Sequence, residues 1–83
     1  MTNYPETEQV CFLKANINYT EIVLVDGNTI LSSKTLKKVL CEYYKNFLRV
    51  NRGIAINPTM IQEKKGNQVK INNQMFTISR RRL

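Results

Sequence analysis

The residues of this chain with the most specific chemistry stand where apolar segments end. Asn18 and Tyr19 follow the apolar run that begins at Val10, Asn51 and Arg52 follow residues 47–50, and Arg80, Arg81 and Arg82 follow residues 75–79. A guanidinium presents a planar fork of donors that fits O6 and N7 of guanine, and an asparagine amide fits N6 and N7 of adenine. Lysines beside such groups hold phosphates without reading sequence. Three polar breaks of this kind, gathered at one rim, would form a row of contacts suited to the grooves of duplex DNA. Each residue also has a plainer role open to it: Tyr19 as a cap on the core, Asn18 as a turn former, and Arg49 as half of a structural ion pair with Glu42 or Glu63. If the last strand continues its alternation, Arg80 and Arg82 face one way and Arg81 the other.

The charge distribution points the same way. From residue 44 onward nine Lys/Arg stand against one acid, Glu63, a net of +8, whereas residues 1–43 carry four basic and five acidic residues, a net of −1. So lopsided a field attracts polyanions, of which nucleic acid is the commonest; membrane surfaces and acidic proteins answer to it as well. Lys37 and Lys38 fall on the solvated side of a predicted helix and fit a solubility role better than a binding one.

Catalysis finds little support. The chain has no histidine, the side chain most often used for proton transfer near neutral pH. The six acids are scattered, with only Glu6 and Glu8 close together, and neither a nucleophile elbow nor a phosphate-binding glycine loop is present. The expectation is a non-enzyme without cofactor. Two cysteines, Cys11 and Cys41, fall short of the four ligands of a structural zinc site, so no metal is expected, and both thiols are read as reduced and mostly buried. No apolar run approaches the ~20 residues of a membrane span. The polar, mildly acidic N-terminus is unlike a signal peptide, so a cytoplasmic protein is expected.

The positioning elements follow from periodicity. Eighty-three residues make one domain, here a polar N-terminal segment, 1–9, and a single folded unit, 10–83. Residues 10–13 form a short buried strand, interrupted at 16–20. Residues 21–25 and 29–32 flank Asp26-Gly27-Asn28, a hairpin signal. Leu36, Val39, Leu40, Tyr43 and Tyr44 recur at helical spacing, which predicts an amphipathic helix over about 35–44, with Thr35 or Ser33 as its N-cap. Residues 47–50, 54–56, 60–64, 68–71 and 75–79 read as further extended segments. They are separated by Asn51-Arg52-Gly53, the strand-ending Asn57-Pro58, Lys65-Gly66-Asn67 and Asn72-Asn73. About seven short strands and one helix predict a mainly β, mostly antiparallel domain. Phe12, Tyr43, Tyr44 and Phe47 fit its core.

Taken in order, Asn18-Tyr19-Thr20, Asp26-Gly27, residues 33–37, residues 47–52, Asn57, Gly66-Asn67 and the closing residues 78–83 resemble a LytTR-type DNA-binding domain, from about Val10 to the end. The resemblance implies an elongated, mostly antiparallel β-sandwich with one short helix, whose rim loops enter successive grooves along one side of double-stranded DNA. Carried over by position, the base-contacting residues are Tyr19 beside Asn18, then Arg52, then Arg80. Asn51, Lys34, Lys64, Lys65, Arg81 and Arg82 are assigned to the DNA backbone or to support. It further implies a bacterial transcription regulator that binds direct repeats as a homodimer, commonly as the output domain of a response regulator, with a receiver or sensor as a possible separate partner. Two departures stand out. The family often has His-Arg-Ser where this chain has Asn51-Arg52-Gly53, and it usually places another strand before Val10. If residues 1–9 do not supply that strand, an open sheet edge invites pairing with a second chain. The competing reading is a basic protein-interaction module, or an RNA-binding domain without sequence-specific duplex recognition.

Overall fold

The structure, a computed structural model, describes residues 4–79; Met1 to Asn3 and Arg80 to Leu83 lie outside them. Its strands are β1 (Val10–Ala15), β2 (Thr20–Leu24), β3 (Thr29–Ser32), β4 (Leu48–Asn51), β5 (Ile54–Ile56), β6 (Glu63–Lys65), β7 (Gln68–Ile71) and β8 (Gln74–Thr77), with one helix, α1 (Leu36–Glu42). They form a five-stranded sheet in the order β3-β2-β1-β5-β4 and a three-stranded sheet in the order β6-β7-β8. All pairings are antiparallel. The molecule measures 40 × 26 × 20 Å. The expected elongated, mainly β architecture with one short helix is what the chain adopts.

The five-stranded sheet is the middle layer. On one side α1 brings Leu36 and Val39 onto Val10, Leu13, Ile22 and Ala55, with Tyr44 and Phe47 completing the cluster. On the other, Val69, Ile71 and Phe76 of the small sheet pack with Cys11, Phe12, Val50, Ile56 and Ile78. β1 must therefore be apolar on both faces, and Val10, Cys11, Phe12 and Leu13 are all buried. A register shift between Val10 and Phe12 against β2 distributes the four between the two clusters, since a bulge adds a residue and alters strict alternation.

The turns obey their residue chemistry. Asn72 and Asn73 both take positive φ, 51° and 64°, as a two-residue type I′ hairpin turn requires. The Asn57 side chain caps a short 3-10 turn, Pro58–Met60. The Thr35 hydroxyl accepts from the backbone N–H of Lys38, so Thr35 is the N-cap of α1.

Several expectations need correction. Among the described residues there are eight strands where about seven were expected, and α1 is shorter than the predicted 35–44. Thr20 joins β2 instead of the preceding break. The segment predicted as a strand over 60–64 forms a ladder only at Glu63–Lys65, with the Gln62 N–H also donating to the Lys70 carbonyl at 2.7 Å, because the Asn57 cap and Pro58 fold residues 58–60 into a 3-10 turn. The last strand is Gln74–Thr77, after which Ile78 and Ser79 run on outside the ladder. Cys11 is buried, and burial pushes its thiol up, but Cys41 is exposed on α1. Tyr43 is half-exposed and stacks on Tyr4 at 3.7 Å instead of entering the core. Tyr4 to Gln9 add no strand. Thr7–Gln9 form a short 3-10 turn, and Tyr4 packs against the helix-side cluster.

Candidate nucleic-acid interface

Strand register alone decides which loops share a rim. Ala15 lies opposite Thr20, Thr20 opposite Ser32 and Lys14 opposite Ile54. The β1–β2 loop (16–19), the β3–α1 connection (33–35) and the β4–β5 loop (52–53) therefore emerge at one end of the five-stranded sheet. The Ala15 N–H donates to the Gly53 carbonyl at 2.7 Å, tying two of these loops together, and the Asn16 N–H closes the first loop on the Tyr19 carbonyl at 2.8 Å. The chain's exit is brought alongside: the Ser79 N–H donates to the Val50 carbonyl and the Ile78 N–H to the Asn67 carbonyl, both at 2.6 Å. Arg80 to Arg82, which follow directly, fall outside the described residues.

The first loop ties its polar start back to β2 at the surface. Asn16 donates its side-chain amide to the Glu21 carboxylate at 2.6 Å. Ile17, Asn18 and Tyr19 face solvent. In the second loop, the Asn51 side-chain carbonyl accepts from the Gly53 N–H at 2.9 Å, an Asx turn that folds the loop on itself. A register shift between Arg49 and Asn51 marks a bulge in β4 at this point, and bulges commonly re-aim a side chain. Arg52 is exposed. Arg49 makes no ion pair with either Glu42 or Glu63: its Nη2 donates to the Arg52 carbonyl at 2.6 Å, and Glu42 is taken by Lys34. The buried Nε of Arg49 has no hydrogen-bond partner among the described residues.

Lys34 shares the rim but its ammonium is engaged, 2.8 Å from the Glu42 carboxylate and over the Tyr43 ring. That hydrogen bond holds the lysine up and the glutamate down from their ordinary values. Both side chains are exposed, so the pair is weak and salt-screened. Lys64 and Lys65 lie on β6, in the other sheet, and the Gly66-Asn67 turn that follows reaches the chain's exit through Ile78. The rim thus gathers Asn18, Tyr19, Asn51, Arg52 and Lys34, with Lys65 approaching from the second sheet.

Three residues on this end were not singled out as readers from sequence. Lys37 and Arg49 border a cleft of about 370 Å³ that runs from the β1–β2 loop to the start of α1. Ile17 stands at the apex of the first loop. A lone apolar residue between two asparagines was the signal for it.

A mainly β domain that presents loops of amides and guanidinium groups from one rim has the form of a nucleic-acid-binding module. This chain belongs to the LytTR family: the model of the LytTr DNA-binding domain matches residues 4–83. It is thus a DNA-binding domain of the kind used in transcription regulation, a family of binding domains and not of enzymes. No curated protein matches the chain. Among the described residues no cluster of side chains could hold a metal ion, and no helix is long and apolar enough to cross a membrane.

Proposed function

We propose that this chain recognises specific sequences in double-stranded DNA, with the β1–β2 loop reading through Asn18 and Tyr19, the β4–β5 loop through Arg52, and the closing segment through Arg80. Asn51, Lys34, Lys64, Lys65, Arg81 and Arg82 hold the phosphate backbone or support the loops. The sites are paired direct repeats occupied by two copies, and the setting is a bacterial cytoplasm, under the control of a receiver or sensor. The observation that carries this reading is the double tie at the rim: Ala15 to Gly53 joins two loops, and Ser79 to Val50 delivers the chain beside them one residue before Arg80.

Selection from a random duplex pool tests the proposal. The expected outcome is enrichment of a short motif repeated at fixed spacing, bound far more tightly than scrambled duplex. Binding that ignores sequence, or prefers single-stranded RNA or an acidic protein, would overturn it.

A further inference from the structure

Ile17 is the most exposed large apolar side chain among the described residues, at 94%. It sits at the apex of a closed four-residue loop whose ends are joined by the Asn16-to-Tyr19 backbone bond. Asn16, which could have shielded it, is turned back onto Glu21. The neighbours on this end of the molecule are cationic or polar: Lys37 and Arg49 border the adjoining cleft, and Arg52 projects from the next loop. An isoleucine held out in this way gains nothing for the fold, since it touches neither core cluster.

We infer that Ile17 is a specificity-determining residue that packs on the C5-methyl group of a thymine in the major groove. This rests on the proposal that the β1–β2 loop reads duplex DNA. The chemistry selects the partner. Every base edge in the major groove offers hydrogen-bonding groups, and thymine alone adds a methyl beside its O4 acceptor, the one apolar group on show. Phosphates, which the surrounding cations can hold, give an aliphatic side chain nothing to bury against, and packing on the C–H groups of a sugar would not depend on which base it carries. Beside Asn18, which suits adenine, Ile17 makes the loop a reader of A·T pairs by two means at once: an amide for the adenine of one pair and a methyl contact for the thymine of the same or an adjacent pair.

The test is a double-mutant cycle on a duplex selected from the random pool, replacing each thymine in turn by deoxyuridine, which lacks only the methyl. The full chain and its Ile17→Ala variant are titrated against each duplex. At one thymine the methyl deletion should weaken the full chain about fourfold, the worth of one buried methyl group. Ile17→Ala should weaken binding to the parent duplex to a similar or greater extent, and the two losses should not add. The inference fails if Ile17→Ala and every deoxyuridine substitution act independently. It fails equally if Ile17→Ala leaves affinity unchanged, or lowers it while also reducing the bend of the bound DNA with no methyl dependence, which is the signature of a wedge between base steps. A pool that yields no preferred sequence removes the proposed function itself and this inference with it, whereas a clear motif without coupling removes only the inference.

Discussion

Arg52→Ala separates reading from holding. The Arg52 side chain is exposed, and the hydrogen bond that Arg52 makes with Arg49 uses its backbone carbonyl, which alanine keeps. The substitution should therefore change folding stability by no more than about 0.5 kcal/mol, the range of ordinary surface changes. A lost bidentate base contact, in contrast, is worth about 1–3 kcal/mol. That corresponds to a roughly 5- to 150-fold weaker complex at about 1.4 kcal/mol per tenfold, and it should be confined to duplexes carrying the matching base. Arg52→Lys sharpens the comparison. It keeps the charge, so the dependence of affinity on salt should stay the same, but it loses the planar fork and with it the discrimination at one base pair. Fluorescence anisotropy with the selected duplex and its single-base variants, at several salt concentrations, reads both quantities. The reasoning is refuted if Arg52→Ala weakens all duplexes alike with a shallower salt slope, or if Arg52→Lys discriminates as well as the parent.

Gly53 has no positive φ, and a Cβ there would sit 3.9 Å from that of Ala15, an ordinary contact. Gly53→Ser should fold normally and, by adding a hydroxyl for a phosphate, tighten binding to all duplexes by about 0.5–1.5 kcal/mol, read by the same anisotropy. Asn57, 1% exposed, donates to the carbonyls of Thr7 and Val10 and accepts from the N–H and hydroxyl of Thr59. Asn57→Ala strands these partners and should cost about 2–4 kcal/mol, seen as a lower urea midpoint with unchanged slope. Burial, with smaller effects of Tyr4 and Glu6, pushes the Tyr44 phenol up to about 12. The folded state holds that proton more tightly than the unfolded chain, whose phenol titrates near 10. The associated stability is therefore complete below about pH 10 and is lost as pH rises toward 12; urea titrations from pH 9 to 11 should show the decline, and Tyr44→Phe should lessen it. Without histidine, the side chain that ordinarily titrates there, DNA affinity at constant salt should stay level between pH 6 and 8.

Local chemistry was the legible part of this fold. The Thr35 cap, the Asp26-Gly27-Asn28 and Asn72-Asn73 turns and the end of β5 at Asn57-Pro58 each follow from one or two residues acting on their own backbone. The placement of β1 between β2 and β5 does not, because it depends on contacts between segments about forty residues apart. The same limit governs the candidate site. Polar breaks marked the loops holding Asn18, Tyr19 and Arg52. That Lys34 would be drawn to Glu42, and that Arg49 would brace the Arg52 carbonyl in place of an ion pair, depended on where α1 lies beside the sheet. Tyr43 and Cys41 were misplaced for a related reason. A seven-residue helix buries only the stripe that meets the sheet, so residues near the edge of that stripe stay wet. Ile17 lacked any periodic neighbour to give it a face.

Asn18, Tyr19 and Arg52 share one property: none contributes to either hydrophobic cluster. Under the proposed reading, in which these residues contact bases, substitutions there would change which operator is preferred while leaving the free energy of folding almost untouched. For a lineage of such regulators this uncouples two selective pressures that often conflict. New specificities can be explored after gene duplication by altering a handful of loop residues, without passing through unstable intermediates. The strands behind them, with β1 buried on both sides, would by the same logic be far less free to drift.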